Sequence, residues 1–265
     1  MTNLKSHDKS KFYRLWITKN KDDEWWSSFV TAPIGILLNL IVVDWSILSP
    51  NRLTTLSFIA ALFGAAFILP FSYQNFVTAA ILIQLSHILD CMDGQMARYR
   101  GNSSPAGSFY DKIADFIKIF IFFAVVSFTV FEETNNIMVV FLGFTATFFF
   151  TLRSYIKYLT LSILVEKDSE YLKIVSNTKI ELSVENDFSL KKKILWFLKE
   201  QLKFFYFDEG VIVFLISAAL LLHELHLLLW ILAISQLYYG LIKALQRGLQ
   251  IQKSKYREMS RHFNK

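Results

Sequence analysis

Apolar residues run along this chain in long blocks separated by short polar turns, a pattern that predicts membrane-crossing helices. Such a helix needs about 20 mostly apolar residues to cross about 30 Å of hydrocarbon. Six stretches meet or approach that length, near 52–71, 75–97, 106–131, 137–160, 210–223 and 226–246. The fifth is short, and its partner follows after His223-Glu224-Leu225-His226, so the last two read as a tight helical hairpin. Ahead of the six lies 29–43, broken by Pro33 and too short to span comfortably. With Trp25-Trp26 at its head, where indole rings favour the headgroup level, it reads as an interfacial amphipathic helix.

Charge placement orients this all-α architecture. If residue 52 starts inside, the outer turns fall near 71–75, 132–136 and 223–226, and none contains Lys or Arg. The inner side then holds Lys5, Lys9, Lys11, Arg14, Lys19 and Lys21, the 161–208 loop, and Arg247, Lys253, Lys255, Arg257, Arg261 and Lys265. That bias predicts six spans with both termini cytoplasmic. Residues 1–16 lack an apolar core followed by a small-residue cleavage site, so no cleaved signal peptide is expected. The chain divides into a cytoplasmic tail (1–23), a membrane domain (24–250) and a basic tail (251–265). Within the domain, 164–208 forms a cytoplasmic loop. Leu190, Ile194, Leu198, Leu202 and Phe205 give 187–206 an amphipathic helical face, capped by Asp187 or Ser189. Weak alternation over 170–185 predicts a hairpin, and Lys191-Lys192-Lys193 suits anionic headgroups.

Composition agrees. Of 265 residues, 54% are apolar and 19% charged, below the roughly 25% charged of soluble domains. So apolar a chain excludes disorder, and its single cysteine, Cys91, excludes a disulfide framework or a Cys-based metal site. The net charge of +6 alone would admit nucleic acid as a partner. Its confinement to the inner side assigns it to the lipid bilayer instead, and no nucleic acid is expected.

The candidate chemistry lies where the second block ends and the third begins. Asp90 and Asp93 are three apart and Asp111 and Asp115 four apart, so each pair shares a helical face. Ser104-Pro105 supplies an N-cap and a first-turn proline for the third helix. Two antiparallel helices would thus bring four carboxylates together at the inner membrane edge. Carboxylates so crowded need a compensating charge, and all-oxygen ligation favours Mg²⁺ or Mn²⁺. Gly94 and Gly107 leave room for a substrate to approach the backbone, Ala97 is small on the same face, and Arg98 suits phosphate oxygens. Single acids at a membrane edge often just pair with lysines, and Lys112 and Lys118 are near. Four at this spacing, with both glycines, Ala97 and Arg98, point to function.

The arrangement D-x-x-D-G-x-x-A-R-x8-G-x3-D-x3-D resembles the signature of the CDP-alcohol phosphotransferase (CDP-alcohol phosphatidyltransferase) family at every fixed position. Pro50-Asn51-Arg52-Leu53-Thr54 looks like that family's entry to its first span. The resemblance implies that Asp90, Asp93 and Asp111 hold two Mg²⁺ ions, with Mn²⁺ able to substitute. It makes Asp115 a further metal ligand or the base for the acceptor hydroxyl. Gly94, Ala97 and Gly107 would line the nucleotide pocket, with Arg98 at the diphosphate. It further implies a CDP-linked lipid or alcohol donor such as CDP-diacylglycerol, a small polar acceptor such as inositol phosphate or glycerol phosphate, CMP release, and a homodimer. Such an enzyme of phospholipid biosynthesis would sit in the cell (inner) membrane with its site facing the cytoplasm. Two other readings stand: a soluble CDP-linked headgroup transferred to diacylglycerol, and a cation transporter using the acids as its ion site. Transport sites tend to lie near the midplane between repeats, whereas these acids sit at helix ends.

Other polar residues carry two readings each. Asn51 and Thr54 either help form the nucleotide pocket or serve only the helix start. Arg153 and Lys157, four apart near the inner end of the fourth block, either grip an acceptor phosphate or reach the headgroups. His87 and Cys91 read as packing residues, and His223, Glu224 and His226 lie on an outer turn away from the acids.

Overall fold

Helices form at all six apolar blocks in the computed structural model, which describes residues 10–19, 24–167 and 197–252. They are preceded by α1 (Lys11–Trp16) and α2 (Ala32–Val42) and comprise α3 (Pro50–Ala66), α4 (Tyr73–Arg100), α5 (Pro105–Thr134), α6 (Met138–Lys167), α7 (Glu209–Leu222) and α8 (Leu225–Gln252). No strand occurs among the described residues. The hairpin expected at 170–185, the start of the 187–206 helix with Lys191-Lys192-Lys193, and the chain ends 1–9 and 253–265 lie outside them.

Polar side chains start the helices. Ser49, Ser72, Ser104 and Asp208 each accept a backbone N–H three residues on, at the heads of α3, α4, α5 and α7. Gly101, at φ 66°, ends α4, with the Asn102 N–H returning to the Ala97 carbonyl. His223, at φ 60°, turns α7 into α8, forming the tight hairpin expected there.

Four helices, α4, α5, α6 (to Glu166) and α8, are each long and apolar enough to cross a bilayer. A fifth candidate combines α7 with the helical segment Phe197–Tyr206, bent by 74°. α3 has 17 residues, or about 26 Å of helix, short of the full hydrocarbon thickness. Along Phe197–Tyr206, the residues Leu198, Leu202 and Phe205 are all exposed.

Two elements depart from the expected pattern. α2 lacks a polar outer face: it buries Ile36 and Asn39 and exposes Ile34, Leu37, Leu38 and Ile41. Pro33 has no N–H to continue the helical ladder, and the turn before it, Ser27–Thr31, widens to π spacing. The supposed tail contains α1, because Leu15 is fully buried with Ile36, Val43, Leu53, Met92 and Met96.

This small core backs the site; a larger one, with Phe76, Phe122, Phe123, Ile216 and Leu229, fills the bundle. α3 lies between α4 and α5 and packs on both. Its small residues permit close approach: a Cβ on Gly64 would fall 2.9 Å from Ile83 Cγ1. Between α5 and α6 the contact is tighter, since a Cβ on Gly143 would fall 1.7 Å from Ser127 Oγ and 2.7 Å from Ser127 Cβ. Gly143→Ala is therefore expected to destabilise the bundle by about 1–3 kcal/mol, measured as a lowered thermal midpoint in detergent.

Candidate active site

The site is assembled where α3 begins, α4 ends and α5 begins. One carboxylate oxygen from each of Asp90, Asp93 and Asp111 lies within 4.8 Å of the others. Asp93 is buried, and its Oδ2 accepts a hydrogen bond from Thr54 Oγ1. Asp111 Oδ1 is buried with no hydrogen-bond partner. A buried carboxylate oxygen left unpartnered is costly, and three carboxylates this close repel one another. The donor set fits a hard divalent cation of the Mg²⁺ or Mn²⁺ type.

The fourth acid lies beside Asp90 and shares its cation. Asp115 Oδ1 lies 2.7 Å from Lys118 Nζ, an ion pair outside aligned hydrogen-bond geometry. Lys118 also donates to Asp90 Oδ1 at 2.8 Å and to Ser57 Oγ at 3.2 Å. Three helices therefore build the site rather than the two expected, because α3 inserts Thr54 and Ser57 between the acids of α4 and α5. Behind Lys118, a cavity of about 10 Å³ is lined by Ser86, His87, Lys118 and Glu209 among others, room for one water.

The motif's small residues lie beside these acids. A Cβ on Gly94 would fall 3.1 Å from Arg98 Nη1, and one on Gly107 would fall 3.1 Å from Ser104 Oγ and 3.4 Å from Asn51 Oδ1. Asn51 thus flanks the head of α5, and Thr54, which reaches Asp93, has its Oγ1 3.2 Å from the Pro50 carbonyl of its own helix. Arg98 donates from Nε to the Thr18 carbonyl at 2.6 Å, joining the α1 segment to α4. Ala97 is half-buried on the same turn. Asn39 and Gln95 lock α2 to α4: the Asn39 amide donates to the Met92 carbonyl and to Gln95 Oε1, and Gln95 donates to the Ala32 carbonyl. Arg100 binds the carbonyls of Val43, Trp45 and Leu48 and fixes the connection into α3.

Arg153 is held by groups of the chain itself. Its Nη1 donates to the Phe207 carbonyl at 3.0 Å and to Gln236 Oε1 at 2.7 Å, and its Nη2 donates to the Tyr206 carbonyl at 2.9 Å. The guanidinium rests 5.3 Å from the Tyr239 ring centre. It satisfies carbonyls at the bend before α7, while Lys157 is exposed. Arg153→Ala is expected to destabilise the protein by about 2 kcal/mol through those orphaned carbonyls. It should slow turnover of phosphorylated and unphosphorylated acceptors equally; a loss selective for phosphorylated acceptors would assign the guanidinium to the acceptor. His87 Nε2 lies 3.1 Å from Ser27 Oγ, Cys91 Sγ 3.4 Å from Thr31 Oγ1, and His223 packs on Phe71 and Phe76. His87 and Cys91 thus contact the segment before α2, and His223 shapes the turn between α7 and α8.

Sequence-based reasoning treated Lys118 only as a nearby neutralising charge. Its i, i+3 spacing from Asp115 signalled one of its pairings, whereas the bonds to Asp90 and Ser57 arise only from the fold.

The chain is similar to known proteins. The family model for CDP-alcohol phosphatidyltransferase matches residues 47–182, just over half of the chain and all eight motif positions. The bifunctional IPC transferase and DIPP synthase of Archaeoglobus fulgidus is 29% identical over 109 residues, which are 41% of this chain and 21% of that protein. The archaetidylinositol phosphate synthase of Aeropyrum pernix is 42% identical over 66 residues, 25% of this chain and 32% of that protein. The chain thus spans at most about a third of the curated relatives it matches. The crystal structure of Mycobacterium tuberculosis phosphatidylinositol phosphate synthase with CDP-DAG bound superposes with a TM-score of 0.52 at 14% identity, covering 82% of this chain and 93% of that one. That likeness establishes the fold alone. With the matched region containing the whole acidic constellation, this chain belongs to the CDP-alcohol phosphatidyltransferase family.

Proposed function

We propose that the protein is a multi-pass membrane transferase that moves a phosphatidyl-type group from a CDP-linked lipid to a polyol acceptor, releasing CMP. CDP-diacylglycerol is the donor on this reading, and inositol phosphate or glycerol phosphate is the acceptor. The observation that carries it is the convergence of Asp90, Asp93 and Asp111 within 4.8 Å at the ends of apolar helices, inside the family motif. A relative whose name specifies an inositol phosphate product, the archaetidylinositol phosphate synthase, supports the acceptor class. The topology proposed with it has six spans, α3 and α7 included, with both termini and the site on the cytoplasmic side and the protein acting as a homodimer.

Asp90, Asp93 and Asp111 would hold Mg²⁺, with Mn²⁺ able to substitute and a second ion bound alongside. Bound there, the metal neutralises charge on the diphosphate and on the departing CMP. Gly94, Ala97 and Gly107 leave the helix surfaces open for the nucleotide, with Arg98, Asn51 and Thr54 at its edge. Asp115 takes the proton of the acceptor hydroxyl as that oxygen bonds to the phosphorus distal to cytidine. The bond from this phosphorus to the bridging oxygen breaks, and CMP leaves with the electron pair. The lipid stays in the bilayer while the polar product and substrate exchange with water at its edge.

The deciding experiment supplies purified protein with CDP-diacylglycerol, Mg²⁺ and, in turn, inositol phosphate, glycerol phosphate, inositol or serine. CMP and lipid product should form with one polyol phosphate and stop on chelation. No CMP from any of these, but turnover of a soluble CDP-headgroup with diacylglycerol, would reverse the side on which the lipid enters.

A further inference from the structure

Lys118 is a buried cation that makes two hydrogen bonds and one further ion pair. An ammonium carries three donors, and the three oxygens around Lys118 Nζ are Asp90 Oδ1 on α4, Ser57 Oγ on α3 and Asp115 Oδ1 on its own helix. Its side chain is only 6% exposed. A buried ion pair between packed helices is ordinarily a structural stitch. Here both acidic partners belong to the site, and each meets Lys118 through its Oδ1.

We infer that Lys118 is a positioning residue of the transferase, an inference that rests on the reading above. Its ammonium fixes the Asp90 side chain so that it joins Asp93 and Asp111. It also fixes Asp115 beside Asp90, where it can take the acceptor's proton. Ser57 anchors the ammonium from the third side, so the two carboxylates keep their places around it. A lysine suits this place because a compact point charge can meet three oxygens arriving from three helices. The planar fork of arginine matches paired oxygens instead.

The sign of the change in metal affinity separates this role from a general electrostatic one. Removing a positive charge beside three carboxylates should, by Coulomb's law alone, tighten divalent metal binding. Loss of an orienting partner of a metal ligand should weaken it, by about 10-fold or more. The experiment measures Mn²⁺ binding to detergent-purified wild type, Lys118→Met and Lys118→Gln by electron paramagnetic resonance. The same proteins are assayed for CMP release from CDP-diacylglycerol with the acceptor that wild type turns over best.

Lys118→Met is expected to bind Mn²⁺ about 10-fold more weakly and to lose about 100-fold in kcat per folded molecule, with donor KM within about threefold. Lys118→Gln keeps two N–H donors without the charge and should lose about 10-fold in kcat; if the methionine variant does not fold, this one decides by the same readings. Unchanged or tighter Mn²⁺ binding, or a kcat loss that only tracks the folded fraction, would overturn the inference. Wild type that releases no CMP with any acceptor overturns the transferase reading instead, while the Mn²⁺ comparison still tests how Lys118 orients Asp90.

Discussion

Asp111→Asn is expected to cut CMP release by about 1,000-fold or more while leaving the metal-free protein at least as stable as wild type. The two effects share one cause. Asp111 Oδ1 is buried without a hydrogen-bond partner, and one oxygen of its carboxylate lies within 4.8 Å of those from Asp90 and Asp93. Two unit charges at that separation repel by about 3 kcal/mol at an effective dielectric constant of 20. An asparagine in the same volume removes that repulsion and can donate to a neighbouring carboxylate. The cost appears when metal is supplied. A ligand at 100 times its Kd stabilises a folded protein by about 2.7 kcal/mol, so wild type should show a clear Mg²⁺- or Mn²⁺-dependent rise in thermal midpoint. The variant should lose most of that rise along with turnover. Thermal melts in detergent with and without metal, paired with CMP assays, check both halves. A variant that keeps the metal-dependent shift would remove Asp111 from the metal site.

Hydropathy located the helical blocks because a span must bury its backbone polar groups in its own hydrogen bonds, which forces long apolar runs on the sequence. The acids were legible for a similar local reason: i, i+3 and i, i+4 spacing fixes a shared face within a helix. What escaped depends on contacts between distant segments. Arg153 meets carbonyls more than fifty residues away at Tyr206 and Phe207, and nothing in its own span distinguishes that partner from a phosphate. The insertion of α3 between α4 and α5 had a signal that went unused, since Ser57, Ala60, Ala61, Gly64 and Ala65 form a run of small buried positions. α1 was overlooked because six residues are too few to show a period, and only the burial of Leu15 reveals its attachment. The length of α2 and its tryptophans suggest an amphipathic helix, but its outer face is apolar.

Asp115→Asn should give the complementary result: a folded protein that binds metal yet turns over about 100- to 10,000-fold more slowly. Asparagine keeps an oxygen for Lys118, so the ion pair becomes a charge-assisted hydrogen bond and the helix contact survives. Asp115 stands outside the group formed by Asp90, Asp93 and Asp111, so the metal-dependent rise in thermal midpoint should persist. What disappears is the side chain that can accept a proton from the acceptor hydroxyl. The fall should therefore lie in kcat, with donor KM little changed, as for a group that acts in the transition state. The pair of asparagine variants separates two roles that the motif alone leaves merged. If Asp115→Asn abolished the metal-dependent shift as Asp111→Asn does, Asp115 would be a ligand first, and the proton would need another acceptor. Near-normal turnover would remove it from both roles. A retained shift with lost kcat leaves one assignment for it, the base at the edge of a metal site, held in place by Lys118.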